Sequence, residues 1–196
     1  LLSPLDTIDA PKFVYISSPF AGLRFGASYA PKFEVNRDDP LPRNRTLQRN
    51  GIELGMQYQL PVGSWVLGAS GTHVRASADP ITQRADIDSS SIGLQARHGR
   101  FVIGGAWVDR GDSNRLGPTN QDEINFGVSW RGPLWGVAAS TAIGRSDPVD
   151  STLVALGGFW NFSRYFVLRG DLAHVDERRP AAAGQPALPA ERGLVA

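Results

Sequence analysis

The side chains able to do covalent or metal chemistry are few and badly spaced. The chain has no cysteine, and His73, His98 and His174 are its only imidazoles. No two of them stand at a spacing that would share a metal ion. Serines abound, yet no nucleophile elbow and no Ser-x-x-Lys motif occurs. Gly104-Gly105 and Gly157-Gly158 have no helical pattern after them, so they read as strand glycines rather than phosphate loops. Arg-Gly-Asp occurs twice, at Arg110-Gly111-Asp112 and Arg169-Gly170-Asp171. An exposed triplet of this kind can serve adhesion, but chance accounts for both. Asp38, Asp39, Asp112, Asp122 and Asp150 are carboxylates of the kind that suit a hard cation, although their spacing matches no calcium loop. The expectation is no catalysis, no metal and no other cofactor.

The elements that carry these residues are extended. Hydrophobic residues make up 41% of 196 residues, and no run nears the roughly 18 apolar residues of a membrane-spanning helix. Net charge is +1, and all of the 20 basic residues except Lys12 and Lys32 are arginine. They are scattered, unlike the basic stripe of a nucleic-acid binder, so no nucleic-acid partner is expected. Opening on Leu1-Leu2-Ser3-Pro4, the sequence shows no secretion signal; one is expected to have been removed or to lie upstream.

Apolar residues recur at every second position, the period of a strand with one greasy face. Gly51–Leu60 is the clearest case, with Ile52, Leu54, Met56, Tyr58 and Leu60 on one side and Glu53, Gly55, Gln57 and Gln59 on the other. Eleven such segments are predicted, over 12–17, 22–30, 51–60, 64–77, 87–98, 101–110, 122–131, 134–145, 152–161, 165–175 and 191–196. Tight turns are expected at 18–21, 61–63, 99–100, 132–133 and 162–164, where Gly and Pro supply hairpin chemistry. Longer polar segments at 31–50, 78–86, 111–121 and 176–190 alternate with them. Short turns on one rim and long loops on the other are the plan of a transmembrane β-barrel. The fold class predicted is all-β, an antiparallel barrel meander in one domain over 1–196.

Partners across a hairpin must point the same way. Turning at Gly99-Arg100 pairs His98 with Phe101, Ala96 with Ile103 and Ile92 with Trp107, and sets Arg97 and Gln95 on the other face. Turning at Gly132-Pro133 pairs Trp130 with Trp135 and Val128 with Val137; setting Leu60 opposite Trp65 pairs Tyr58 with Leu67. The last hairpin, around Phe159-Trp160, leaves its facing open. Nine residues are predicted to line a lumen: Arg24, Glu53, Gln57, Gln95, Arg97, Asn125, Arg131, Arg169 and Asp171. Such side chains screen and steer ions in a channel, or are merely solvated wall. Aromatics beside the tight turns, namely Phe20, Tyr58, Trp65, Phe101, Trp130, Trp135, Tyr165 and Phe166, are predicted to form a girdle at headgroup level.

Lys12-Phe13-Val14-Tyr15-Ile16-Ser17-Ser18-Pro19-Phe20-Ala21-Gly22-Leu23-Arg24-Phe25-Gly26 resembles the strand, turn and strand that follow the inward-folded constriction loop of the general porins of Gram-negative outer membranes. Phe126-Gly127-Val128-Ser129-Trp130, Gly132–Val137 and Leu156-Gly157-Gly158-Phe159-Trp160 add further likeness. The resemblance implies a sixteen-stranded barrel of which this chain supplies strands six to sixteen. It implies a homotrimer in outer-membrane lipid that passes small polar solutes and ions by passive diffusion. Strands one to five and the end of the last strand are expected to be missing. Two other readings stand beside it: a barrel that anchors its long loops as a structural protein or adhesin, and a soluble β-sandwich or small ligand-binding barrel.

Overall fold

A computed structural model describes residues 11–34, 47–80, 83–116, 119–179 and 191–195. Eleven strands form one sheet in sequence order. They are β1 Phe13–Ile16, β2 Leu23–Glu34, β3 Leu47–Val62, β4 Trp65–Ala78, β5 Ile87–His98 and β6 Phe101–Asp109, followed by β7 Gln121–Arg131, β8 Trp135–Ser146, β9 Val149–Ser163, β10 Phe166–Arg178 and β11 Glu191–Val195. Every neighbouring pair is antiparallel. Valine, isoleucine, threonine and aromatic residues favour this extended, half-covered state. No helix long and apolar enough to cross a membrane occurs among the described residues, a statement that leaves strand-based crossing open.

The turns fall within a few residues of their expected places. β3 runs on through Pro61 to Val62, so its link to β4 is Gly63-Ser64, with Gly63 at a φ of 59°. Two-residue hairpins need positive φ, which glycine adopts without the Cβ clash; Gly99, with a φ of 54°, does the same between β5 and β6. The β1–β2 turn closes at Ala21-Gly22 through paired Phe20 and Leu23 backbone bonds of 2.9 and 2.8 Å. The β7–β8 link is Gly132–Leu134, held by the Gly132 N–H on the Trp135 carbonyl at 2.8 Å. On the opposite rim, the β8–β9 connection is only Asp147-Pro148. The expected contrast of short turns against long loops therefore fails at this one connection.

Register follows the predicted parity in the three hairpins for which one is assigned. The β5–β6 hairpin pairs His98 with Phe101, Ala96 with Ile103 and Ile92 with Trp107, as expected. In β3–β4, Val62 meets Trp65 and Leu60 meets Leu67, and in β7–β8, Trp130 meets Val137. Both differ from expectation by two residues, a shift that leaves every side chain on its predicted face. The undecided last hairpin pairs Leu168 with Trp160 and Arg169 with Phe159, past a register shift at Phe166/Val167.

Very little is buried. The apolar interior consists of Ala30, Val74, Ala76, Ile87, Val108 and Ala142. By contrast Leu54, Met56, Leu94, Phe126, Val128, Trp135, Leu156 and Leu172 are all exposed, Phe126 by 51%. A water-soluble protein does not leave so continuous an apolar face to solvent, and the soluble readings fall on this point.

Candidate functional site

Following the pairs from strand to strand sorts the side chains onto two faces. On the convex face, Trp65, His98, Phe101, Trp130 and Val137 follow one another across β4 to β8. Tyr58, Ala69, Leu94, Gly105 and Phe126 make a second such row. Near the turn rim the rings touch: Trp130 and Trp135 lie 4.2 Å apart between centroids, Trp160 and Phe162 4.1 Å, and Trp65 and His98 4.7 Å. Phe20 and Tyr165 sit in the turns themselves, and Phe166 begins β10.

The other face carries polar and small side chains with some valines between them, and holds two hollows of about 700 and 900 Å³. All nine predicted lining residues share it. Arg24, Gln57, Ser70, Gly93, Ala106 and Asn125 form one row across β2 to β7. Arg97, Val102, Ser129, Ala138, Gly157 and Asp171 form another across β5 to β10. Arg131, Gly136, Phe159 and Arg169 form a third, Glu53 pairs with Ser28 and Val74, and Gln95 pairs with Gly68 and Gly104.

The two ends of this face differ. Toward the loop rim the charges are matched. Glu53 takes a bond from the Ser28 hydroxyl and an ion pair from Lys12 at 3.7 Å, and Arg49 holds Asp79 at 2.8 Å. Arg115 donates to Gln121 Oε1 at 3.1 Å and to Ser146 Oγ at 2.7 Å. Burial lowers the pKa of Arg110, just past β6, while the charge of Glu123 opposes that shift and Arg115 adds to it. The β6–β7 loop also reaches across the sheet: Gln48 Nε2 donates to Asn114 Oδ1 at 3.1 Å, and Ser113 Oγ exchanges bonds with the Asp88 backbone at 2.9 and 2.8 Å. On this same end Ala30, Val74, Ala76 and Ile87 pack as one buried cluster.

Toward the turn rim the charges are unmatched. Among the described residues Arg24, Arg97, Arg169 and Asp171 have no side-chain hydrogen bond or ion pair, and Arg131 has only the ring of Phe159, 5.4 Å from its guanidinium carbon. Sequence reasoning did not place Phe159 inward, because Phe159 and Trp160 are both aromatic and either parity would serve. Glu123 was also missed, though it stands two residues from Asn125 and parity alone would have placed it. Among the described residues no group of His, Asp and Glu could hold a metal ion; Asp38 and Asp39 lie outside the described residues.

A sheet with an oily convex face, a polar hollow face and alternating turns and loops is the wall of a transmembrane β-barrel. The chain belongs to the Gram-negative porin family, whose profile matches residues 4–180, and its place is the outer membrane. This is a family of channels, not of enzymes. Among solved structures, it is similar to the anion-selective porin from Comamonas acidovorans, with a TM-score of 0.55 at 18% identity over 93% of this chain and 54% of that one. It thus spans about half the length of that porin. No curated protein matches the sequence.

Proposed function

We propose that this sheet is part of a closed, water-filled pore through which small hydrophilic solutes and ions diffuse passively, assembled as a homotrimer in outer-membrane lipid. The observation that carries the reading is the two-face sorting, which can be followed from β2 to β10 and is interrupted near strand ends by register shifts at Arg49/Ile52 and Phe166/Val167. β1 and β11 end the sheet, and unpaired strand edges in hydrocarbon cost several kcal/mol per polar group. Further strands, sixteen in all by family resemblance, close the barrel. The nine lining residues named above face its lumen, and the aromatics of the turn rim sit at the headgroup level. Unmatched arginines favour anions in the lumen, in keeping with the name of the Comamonas protein.

The test is reconstitution of the full-length protein in a planar bilayer. Stepwise conductance is expected, with a reversal potential displaced toward that of chloride. A correctly folded protein that gives no channel events contradicts the pore. Light scattering of the detergent complex is expected to give three copies, and a monomer contradicts the trimer.

A further inference from the structure

We propose that Arg131, Arg169 and the ring of Phe159 build an oxyanion-binding subsite in the turn-side hollow, a stepping point for solutes that carry phosphate or carboxylate groups; it rests on the pore reading above. These residues follow one another in a single row: Arg131 on β7, Gly136 on β8, Phe159 on β9 and Arg169 on β10. At the usual strand spacing the two arginine backbones are about 14 Å apart. Two long side chains converging over a hollow face span most of that gap.

The floor between them is kept low by small residues, Ser129, Gly136, Ala138 and Gly157, all of which line the 900 Å³ hollow. Phe159 is a half-buried ring in this hollow, whose other apolar lining on the same face includes Val102 and Val167. Glycine at 136 makes room for it, since a Cβ there would come within 2.5 and 3.0 Å of two ring carbons. The ring in turn receives the Arg131 guanidinium on its face. A cation held over a ring keeps its charge and leaves its N–H edge free to donate.

Among the described residues this charge is only partly offset. Arg97, Arg100, Arg131 and Arg169 line the hollow against the single acid Asp171, whose carboxylate lies over Gly157 instead of on an arginine. A planar guanidinium fork offers two parallel N–H bonds to two oxygens of one carboxylate or phosphate, a match that a spherical halide cannot use. On the loop-side half, Arg49 and Arg115 are already engaged, by Asp79 and by Gln121 and Ser146 respectively.

The experiment titrates inorganic phosphate against chloride current through the full-length protein in a planar bilayer. Phosphate is expected to reduce the current, and at lower concentration from the turn side than from the loop side. R131Q and R169Q are each expected to raise the half-blocking concentration by about tenfold, the worth of a charge-assisted hydrogen bond. R131K keeps the charge but loses the fork, and F159L keeps every charge but loses the ring. Both are expected to weaken phosphate block by about threefold, a larger change than in the chloride-to-potassium permeability ratio. Phosphate block that is absent in the parent protein, or unchanged in R131K and F159L, overturns the subsite and leaves a diffuse positive field. If the folded parent gives no channel at all, the pore reading fails instead, and calorimetry with phosphate on the detergent complex then decides the subsite. Equal binding by parent and R131Q overturns it.

Discussion

The turn-side and loop-side halves of the hollow face are made from the same strands and solve opposite problems. The loop-side half has matched charges, a small buried cluster and a β6–β7 loop tied to β3 and β5. The turn-side half has single arginines standing over glycine, alanine and serine, with no carboxylate on them. One end is tied together by its own side chains, and the other leaves its charges without an ion-pair partner among the described residues. The difference teaches that charge on the hollow face is informative only once its pairing is known: Glu53 and Arg131 both lie on that face, and only Arg131 lacks a carboxylate or hydroxyl partner among the described residues.

Substitutions of equal size should therefore act unequally at the two ends. The largest expected effect is in the loop-side cluster, where Ile87 is fully buried. Ile87→Ala should cost about 2–5 kcal/mol, read by denaturant unfolding in detergent, and a loss under 1 kcal/mol would remove this cluster as the stabilising end. Close behind is a charge placed on the convex face at the middle of β7. Phe126→Arg should cost about 2–4 kcal/mol where the side chain meets hydrocarbon and should depress assembly into membranes, whereas Asn125→Arg one residue away should assemble normally.

Smaller is the tie between the β6–β7 loop and β3. Asn114→Ala removes the acceptor for Gln48, which is fully buried, and should cost about 1 kcal/mol with faster proteolysis of that loop. Unaltered proteolysis would mean the loop is held elsewhere. Smallest in stability is Arg97→Gln on the turn-side half, within about 0.5 kcal/mol. Its effect should appear instead as a reversal potential moved toward that of potassium. A large stability loss there would blur the contrast between the ends.

Much of this was legible in the sequence because a period of two survives small errors. Pro61 argued for ending β3 at Leu60, since proline lacks the N–H that a ladder uses. The strand instead continues to Val62 and the hairpin moves by two residues, with Tyr58 and Leu67 still on the convex face. The same tolerance kept Trp130 and Trp135 together, their rings in contact although their backbones are not paired. What pattern could not decide was Leu153–Trp160, where apolar residues occupy both parities and only the pairing to Arg169 turns Phe159 inward. Nor could it show which lining charges are matched. Lys12 precedes β1 while Glu53 lies on β3, and Asn114 reaches Gln48 over 66 residues of sequence.

The absence of cysteine from these 196 residues leaves the sheet itself free of background thiols, and the decisive measurement uses that. Single cysteines are introduced along β7 in the full-length protein in membranes, from Ile124→Cys to Ser129→Cys, and labelled with a water-soluble or a lipid-soluble thiol reagent. The account predicts strict alternation: positions 125, 127 and 129 react with the water-soluble reagent, and 124, 126 and 128 with the lipid-soluble one. Labelling of all six by the water-soluble reagent, or the opposite alternation, would contradict a barrel wall with lipid on one side and a lumen on the other.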